Sequence, residues 1–203
     1  MRADAIVFGV AGALFGLIVG WVLGSQQTVG TARAAAPVAQ AAPAQQQAQS
    51  ALQATPIDPD RVKALENTAG QNPKDVSSRV QLGNMYFDAE QYPQAIKWYE
   101  QAFALNPKDA NVSTDLGVAY YYTNQSDKAL AQFDQSLATD AKHIKTLLNI
   151  GIVRAFGKQD FAGAGKAWQQ VVDISPDSPE GQAAKKGLEG LKSAHPEAGS
   201  TGK

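Results

Sequence analysis

NPKDVSSRVQLGNMYFDAEQYPQAIKWYEQAFALNPKD, from Asn72 to Asp109, opens and closes on the same tetrapeptide 34 residues apart. Such a run is typical of the end of a helix. A tetrapeptide that recurs at such an interval points to a structural unit used more than once.

Shifting the chain by that period tests the idea. Arg79-x-x-Leu82-Gly83-x-x-Tyr86, followed by Ala95-x-x-x-Tyr99 and Pro107, becomes Ser113-x-x-Leu116-Gly117-x-x-Tyr120, followed by Ala129-x-x-x-Phe133 and Ala141. A further shift gives Leu147-x-x-Ile150-Gly151-x-x-Arg154, then Ala164-x-x-x-Trp168 and Pro176, with one extra residue near Gly157. This pattern resembles the tetratricopeptide repeat (TPR), a helix-turn-helix unit of the same period. The resemblance implies an all-α solenoid with repeats at 76–109, 110–143 and 144–178. Small residues (Gly83, Gly117 and Gly151; Ala95, Ala129 and Ala164) let paired helices approach, and Tyr99, Phe133 and Trp168 fill the volume between repeats. Arg154 stands where an aromatic is usual, so looser packing is expected there.

Flanking signals extend the array. Asp58-Pro59 reads as an N-cap followed by proline at the first helical position, opening a half-repeat helix to about Gly70. Ser178-Pro179 repeats that start signal. Ala183, Ala184, Gly187, Leu188 and Leu191 then form an apolar stripe, so 179–194 is expected to be a capping helix that closes a repeat domain over 58–194. The polar residues 195–203 read as a frayed tail.

The first 58 residues have another character. Ala5 to Leu23 is an uncharged run of 19 residues, as a helix about the thickness of a bilayer's hydrocarbon core. It predicts a transmembrane anchor over 1–24. A cleaved secretory signal is the competing reading, with Ala34-Ala35-Ala36 as small residues near a cleavage point; the long apolar core fits an anchor better. Gly12, Gly16, Gly20 and Gly24 recur at every fourth position and would form a face for close helix packing, with self-association or a partner's span as its use. Residues 25–57, rich in Ala, Gln and Pro, read as a tether with a reach of roughly 30–35 Å. The short N-terminal flank favours a single-pass protein of the bacterial inner membrane with its repeats in the periplasm, although the positive-inside signal is weak.

Composition excludes several chemistries. A net charge of −1 with both signs interspersed offers no stripe for nucleic acid. Cysteine is absent, which removes thiol catalysis and thiolate metal sites. His143 and His195 are the only histidines; neither has a metal-binding companion, and His143 reads as a surface or capping residue. No phosphate-binding loop or nucleophile motif occurs. No cofactor, metal or enzymatic activity is expected.

What remains is the first-helix face that tetratricopeptide domains use to hold peptides. By resemblance it comprises Val80, Asn84, Phe87 and Asp88, then Thr114, Asp115, Val118, Tyr121 and Tyr122, then Lys145, Leu148, Asn149, Ile152 and Phe156. Asn84, Tyr121, Lys145 and Asn149 are its expected centre. Members that clamp a chaperone's C-terminal carboxylate carry Lys, Asn, Asn, Lys and Arg at five positions that here hold Val80, Asn84, Asp115, Lys145 and Asn149. Only Asn84 and Lys145 agree, and Asp115 would repel a carboxylate. Tyr120 to Tyr122 have solenoid packing as their alternative role. The reading is therefore a membrane-tethered scaffold that holds partner segments in its groove. A second reading rests on AGAGKAWQQVVDISPDSP, Ala162 to Pro179, which resembles the last repeat of the haem-lyase helper subunits of cytochrome c maturation.

Overall fold

The computed structural model describes residues 56–194 of the 203. The expected anchor, its glycine series at Gly12, Gly16, Gly20 and Gly24, nearly all of the tether and the tail lie outside those residues. Among the described residues no helix is long and apolar enough to cross a membrane.

Eight α-helices follow one another without a strand among the described residues: α1 (Pro59–Gln71), α2 (Val76–Asp88), α3 (Tyr92–Leu105), α4 (Ala110–Tyr122), α5 (Ser126–Thr139), α6 (Ile144–Ile152), α7 (Phe161–Ile174) and α8 (Pro179–Ala194). A π-helical turn, Val153–Gly157, continues α6. Helices α2 and α3, α4 and α5, and α6 and α7 form three antiparallel pairs, with α1 against α2 and α8 against α7.

The repeated tetrapeptide both ends and starts helices. Asn72 and Asn106 close α1 and α3. The Asp75 carboxylate accepts from the backbone N–H of Ser77 and Ser78 at 3.0 and 3.3 Å, and Asp109 accepts from Asn111 and Val112 at 3.0 and 3.1 Å. Each aspartate thereby satisfies orphan donors of the next helix. Asp58 does the same for α1. Arg79, at the first pattern position, is buried and donates from Nη2 to the Ala69 carbonyl at 3.1 Å, and from Nη1 to the Asp75 carbonyl, joining the end of α1 to the start of α2.

Within each pair one contact sets the distance. A Cβ at Gly83 would overlap the Tyr99 ring, one at Gly117 the Phe133 ring, and one at Gly151 the Trp168 indole. Each aromatic thus lies against a bare backbone on the first helix of its own pair while its flank reaches the next repeat. Tyr99 shares a core with Leu116 and Ala119 of α4, and Phe133 with Ile150 and Val153 of the third repeat. Trp168 meets Gly187 of α8 as well, and Ala184, Leu188 and Leu191 complete that last core. The capping stripe is thereby covered, Ala184 fully and the other four residues in part.

The third repeat holds one more residue between its helices than the other two. Gln91 N–H donates to the Tyr86 carbonyl and Gln125 N–H to the Tyr120 carbonyl, both at 2.9 Å or less. At the third turn Asp160 N–H donates to Arg154 at 2.8 Å, across one more residue. The π turn absorbs the insertion, as π bulges do. Arg154 turns aside to pair with Asp160 at 3.4 Å, and Val153 and Ala155 enter the core around it. Just beyond each first helix one non-glycine residue adopts left-handed backbone: Glu90 (φ 57°), Asn124 (61°) and Gln159 (55°).

Candidate interaction groove

The face made by α2, α4 and α6 carries the residues singled out by the resemblance, and their surroundings differ. On α2, Val80 and Phe87 are half-buried and Asn84 and Asp88 exposed. Asn84 Oδ1 accepts from the Tyr99 hydroxyl at 2.7 Å, so that amide is already oriented by the core. On α6, Lys145 is exposed, the Asn149 amide donates to the Lys145 carbonyl at 2.9 Å, and Leu148 and Ile152 lie partly against the last core. Phe156, in the π turn, is 45% exposed.

Thr114 departs from its expected place on the face. It is buried, because three hydroxyls close a seam between the second and third repeats. Thr114 Oγ1 lies 2.6 Å from Thr146 Oγ1 and 3.1 Å from Ser136 Oγ, Ser136 and Thr146 are 2.7 Å apart, and the Ala110 carbonyl accepts from Thr114 and Ser136. His143 reaches this cluster with Nδ1 2.7 Å from Thr146 Oγ1, while Nε2 lies 3.1 Å from Asn111 Oδ1. It occupies the N-cap position of α6 but makes no side-chain cap bond. Sequence reasoning missed this seam. The available signal was a comparison along the period, where Ser136 stands in place of Ala102 and Thr146 in place of Val112, both buried apolar positions one repeat earlier.

Tyr121 is likewise shared. It is half-buried against the core of Phe133, Ile150 and Val153, so the face has only part of it. Tyr122, 40% exposed, is the more available ring. It stacks on Tyr92 with centroids 4.6 Å apart and meets the Phe87 edge at 5.6 Å; Phe87 and Tyr92 are 5.3 Å apart. These three rings form a rigid aromatic cluster where α2, α3 and α4 meet. Burial, with Glu90 nearby, pushes the Tyr92 phenol up to about 12.

Beside this cluster a small open pocket of about 110 Å³ is lined by Phe87, Tyr99, Asp115 and Val118. Burial pushes the Asp115 carboxyl up to about 6; Lys145 on α6 favours its charge and Asp109 opposes it. The pocket combines apolar walls with a single carboxylate. Such a site can bind and orient, but it brings together no acid–base pair or nucleophile. Among the described residues no cluster of His, Cys, Asp and Glu could hold a metal ion.

The comparisons with known proteins agree with this architecture. Residues 83–124, spanning the end of α2 to just past α4, match the family model described as TPR repeat. The fold is similar to the crystal structure of MamA (TM-score 0.58, 20% identity, 68% of this chain and 80% of that one). It is similar to the Sgt2 TPR domain from Aspergillus fumigatus (0.55, 26%, 61% and 80%) and to the first TPR of Spaghetti (RPAP3) bound to HSP90 peptide SRMEEVD (0.51, 21%, 68% and 95%). No curated protein matches the chain. Trp168 and Ala164, on which the likeness to haem-lyase helpers rested, are buried in the last core and so have an architectural reason to be there.

Proposed function

We propose that this TPR fold works as a protein-interaction scaffold that holds an extended segment of a partner along the α2–α4–α6 face and performs no chemistry of its own. The observation that carries this reading is the aromatic cluster of Phe87, Tyr92 and Tyr122 beside an open pocket, on a face that the solenoid's own core leaves partly uncovered. Rigid rings of this kind anchor a bound chain at low entropic cost. The likeness to a TPR solved with a chaperone peptide supports the fold that such binding needs. An acidic C-terminal peptide is nevertheless a poor occupant, because Val80, Asp115 and Asn149 replace three of the five clamp positions.

The uncharged run Ala5–Leu23 would tether this scaffold to the bacterial inner membrane, with residues 25–57 as its leash and the repeats in the periplasm. The series Gly12 to Gly24 would pair the anchors. Retention of the N-terminal peptide in mass spectra of the native protein checks the anchor, and C-terminal reporter fusions check its sidedness. Gly16→Leu with Gly20→Leu should abolish helix association without affecting insertion.

Site-directed photo-crosslinking tests the face itself. A crosslinking residue at Asn84, Asp88 or Tyr122 should capture a partner in cells, and one at Lys97 or Lys128 on the second helices should not. Capture confined to Lys97 and Lys128 would move the working surface to the opposite side.

A further inference from the structure

The pocket between α2, α3 and α4 has a chemical asymmetry that selects its occupant. Phe87 and Val118 give it apolar walls, and its polar groups are Asp115 and the Tyr99 hydroxyl. That hydroxyl already donates to Asn84 Oδ1. Asp115 takes no hydrogen bond and no ion pair among the described residues. Every fully buried side-chain nitrogen and oxygen there is partnered, so the unpaired carboxylate oxygens are ones that keep access to the opening.

An unpaired carboxylate in partly apolar surroundings is costly, and the cost is relieved by any ligand that brings a donor, most of all a charged one. The charges around it bear on which sign is accepted. Lys145 acts on it from α6 without pairing, Asp109 at the start of α4 repels it, and Asp88 joins Asp115 in acting on the Tyr99 phenol. Asn84 Oδ1 adds an acceptor. A carboxylate or phosphate entering here would meet the Asp115 carboxylate, with the charges of Asp88 and Asp109 acting from farther off. A side chain with an apolar stem and a cationic head would meet walls for the one and acceptors for the other.

We propose that this pocket receives a basic side chain, lysine or arginine, from an extended partner segment, with its stem against Phe87 and Val118 and its cation at Asp115. This specificity rests on the groove reading above and adds the chemistry of one position to it. It also requires binding to strengthen as pH rises through the range in which Asp115 ionises.

The test selects a displayed library of random linear peptides on the full chain and on its Asp115→Asn variant. The wild-type pool should be enriched in lysine or arginine at one fixed position, and the variant's pool should keep apolar preferences but lose that one. A lysine peptide from the first pool should bind the wild type about tenfold more tightly than its norleucine analogue, and Asp115→Asn should treat the two alike. Arginine in place of that lysine separates a general cation site from an ammonium site, and either result supports the proposal. Peptides that bind through Asn84 and Tyr122 without a basic preference would overturn this assignment and leave the groove standing. A basic preference retained in Asp115→Asn would overturn it too. If no enriched peptide depends on Asn84 or Tyr122, the groove reading falls and this proposal with it. Circular dichroism of Asp115→Asn should show an unchanged fold, since the substitution removes an unpaired charge.

Discussion

The turns of the first two repeats and the turn of the third solve one problem with different amounts of chain. In the first two, the helix ends directly and Glu90 or Asn124 takes a left-handed conformation before the second helix begins. In the third, a π turn takes up one more residue and Gln159 then adopts the same conformation. The aromatic-on-glycine contact survives unchanged, as Tyr99 on Gly83, Phe133 on Gly117 and Trp168 on Gly151. The helix-pair interface is therefore the rigid element, and the turn is where slack is taken up. Close-packed volume cannot be redistributed cheaply, whereas one backbone hydrogen bond can shift by one residue.

The comparison breaks most visibly if the rigid element is removed. Trp168→Ala should cost about 3–5 kcal/mol, as large-to-small core changes do. Because Trp168 also meets Gly187, hydrogen exchange should speed up in α8 and α7 while α2 and α3 keep their protection. Phe133→Ala, of similar cost, should instead loosen the middle of the array.

A smaller effect is expected at the polar seam that only the second and third repeats share. Thr146→Val should lower stability by about 1–3 kcal/mol, because His143 Nδ1 loses its 2.7 Å partner and the Thr114 and Ser136 hydroxyls each lose one of theirs. Replacing all three hydroxyl residues by their counterparts one repeat earlier (Thr114→Val, Ser136→Ala, Thr146→Val) should recover part of that loss, since it removes both sides of the hydrogen bonds among the three hydroxyls. Urea denaturation of the single and triple variants decides the matter.

Asp115 sharpens the comparison through pH. Its folded carboxyl titrates at about 6, above the ordinary 3.8, so the native state holds the proton more tightly than the unfolded chain. The associated stability is complete below pH 4 and is lost as pH rises through 6, up to about 3 kcal/mol. Melting temperatures of the wild type and Asp115→Asn should diverge over that interval, with the variant the more stable at pH 7. The smallest effect belongs to the turns. Glu90→Gly and Gln159→Gly should each stabilise by about 0.5 kcal/mol, because relief of left-handed strain exceeds the added entropy of the unfolded chain. Asn124→Gly should gain less, asparagine tolerating that conformation better. Thermal melts of the three variants would rank them.

Much of the architecture was legible because a repeat announces itself several times. The Asp-Pro and Ser-Pro signals, the recurring small and aromatic residues and the apolar stripe of α8 are features the chain shows directly; that each aromatic lies on the glycine of its own pair was not among them. The π turn was visible only as one surplus residue near Gly157, since no residue type marks how a helix will absorb an insertion. The face was partly legible. Phe87 and Val118 do meet at one pocket with Asp115, but Thr114 is turned inward, Tyr121 is shared with the core, and Asn84 is held by Tyr99.

The sequence by itself determined the period, the helix starts at Asp58 and Ser178, and the recurring small and aromatic positions. Each depends on neighbours in the chain or on a spacing that recurs. Only the tertiary structure decided what the polar groups do. Whether Thr114 faces a partner or a seam depends on Ser136 and Thr146, 22 and 32 residues away. Whether Asp115 is paired depends on how far Lys145 stands from it in the next repeat. Hydrogen bonds and charges act over a few ångströms of space, and the chain's order does not specify those distances until the helices have stacked.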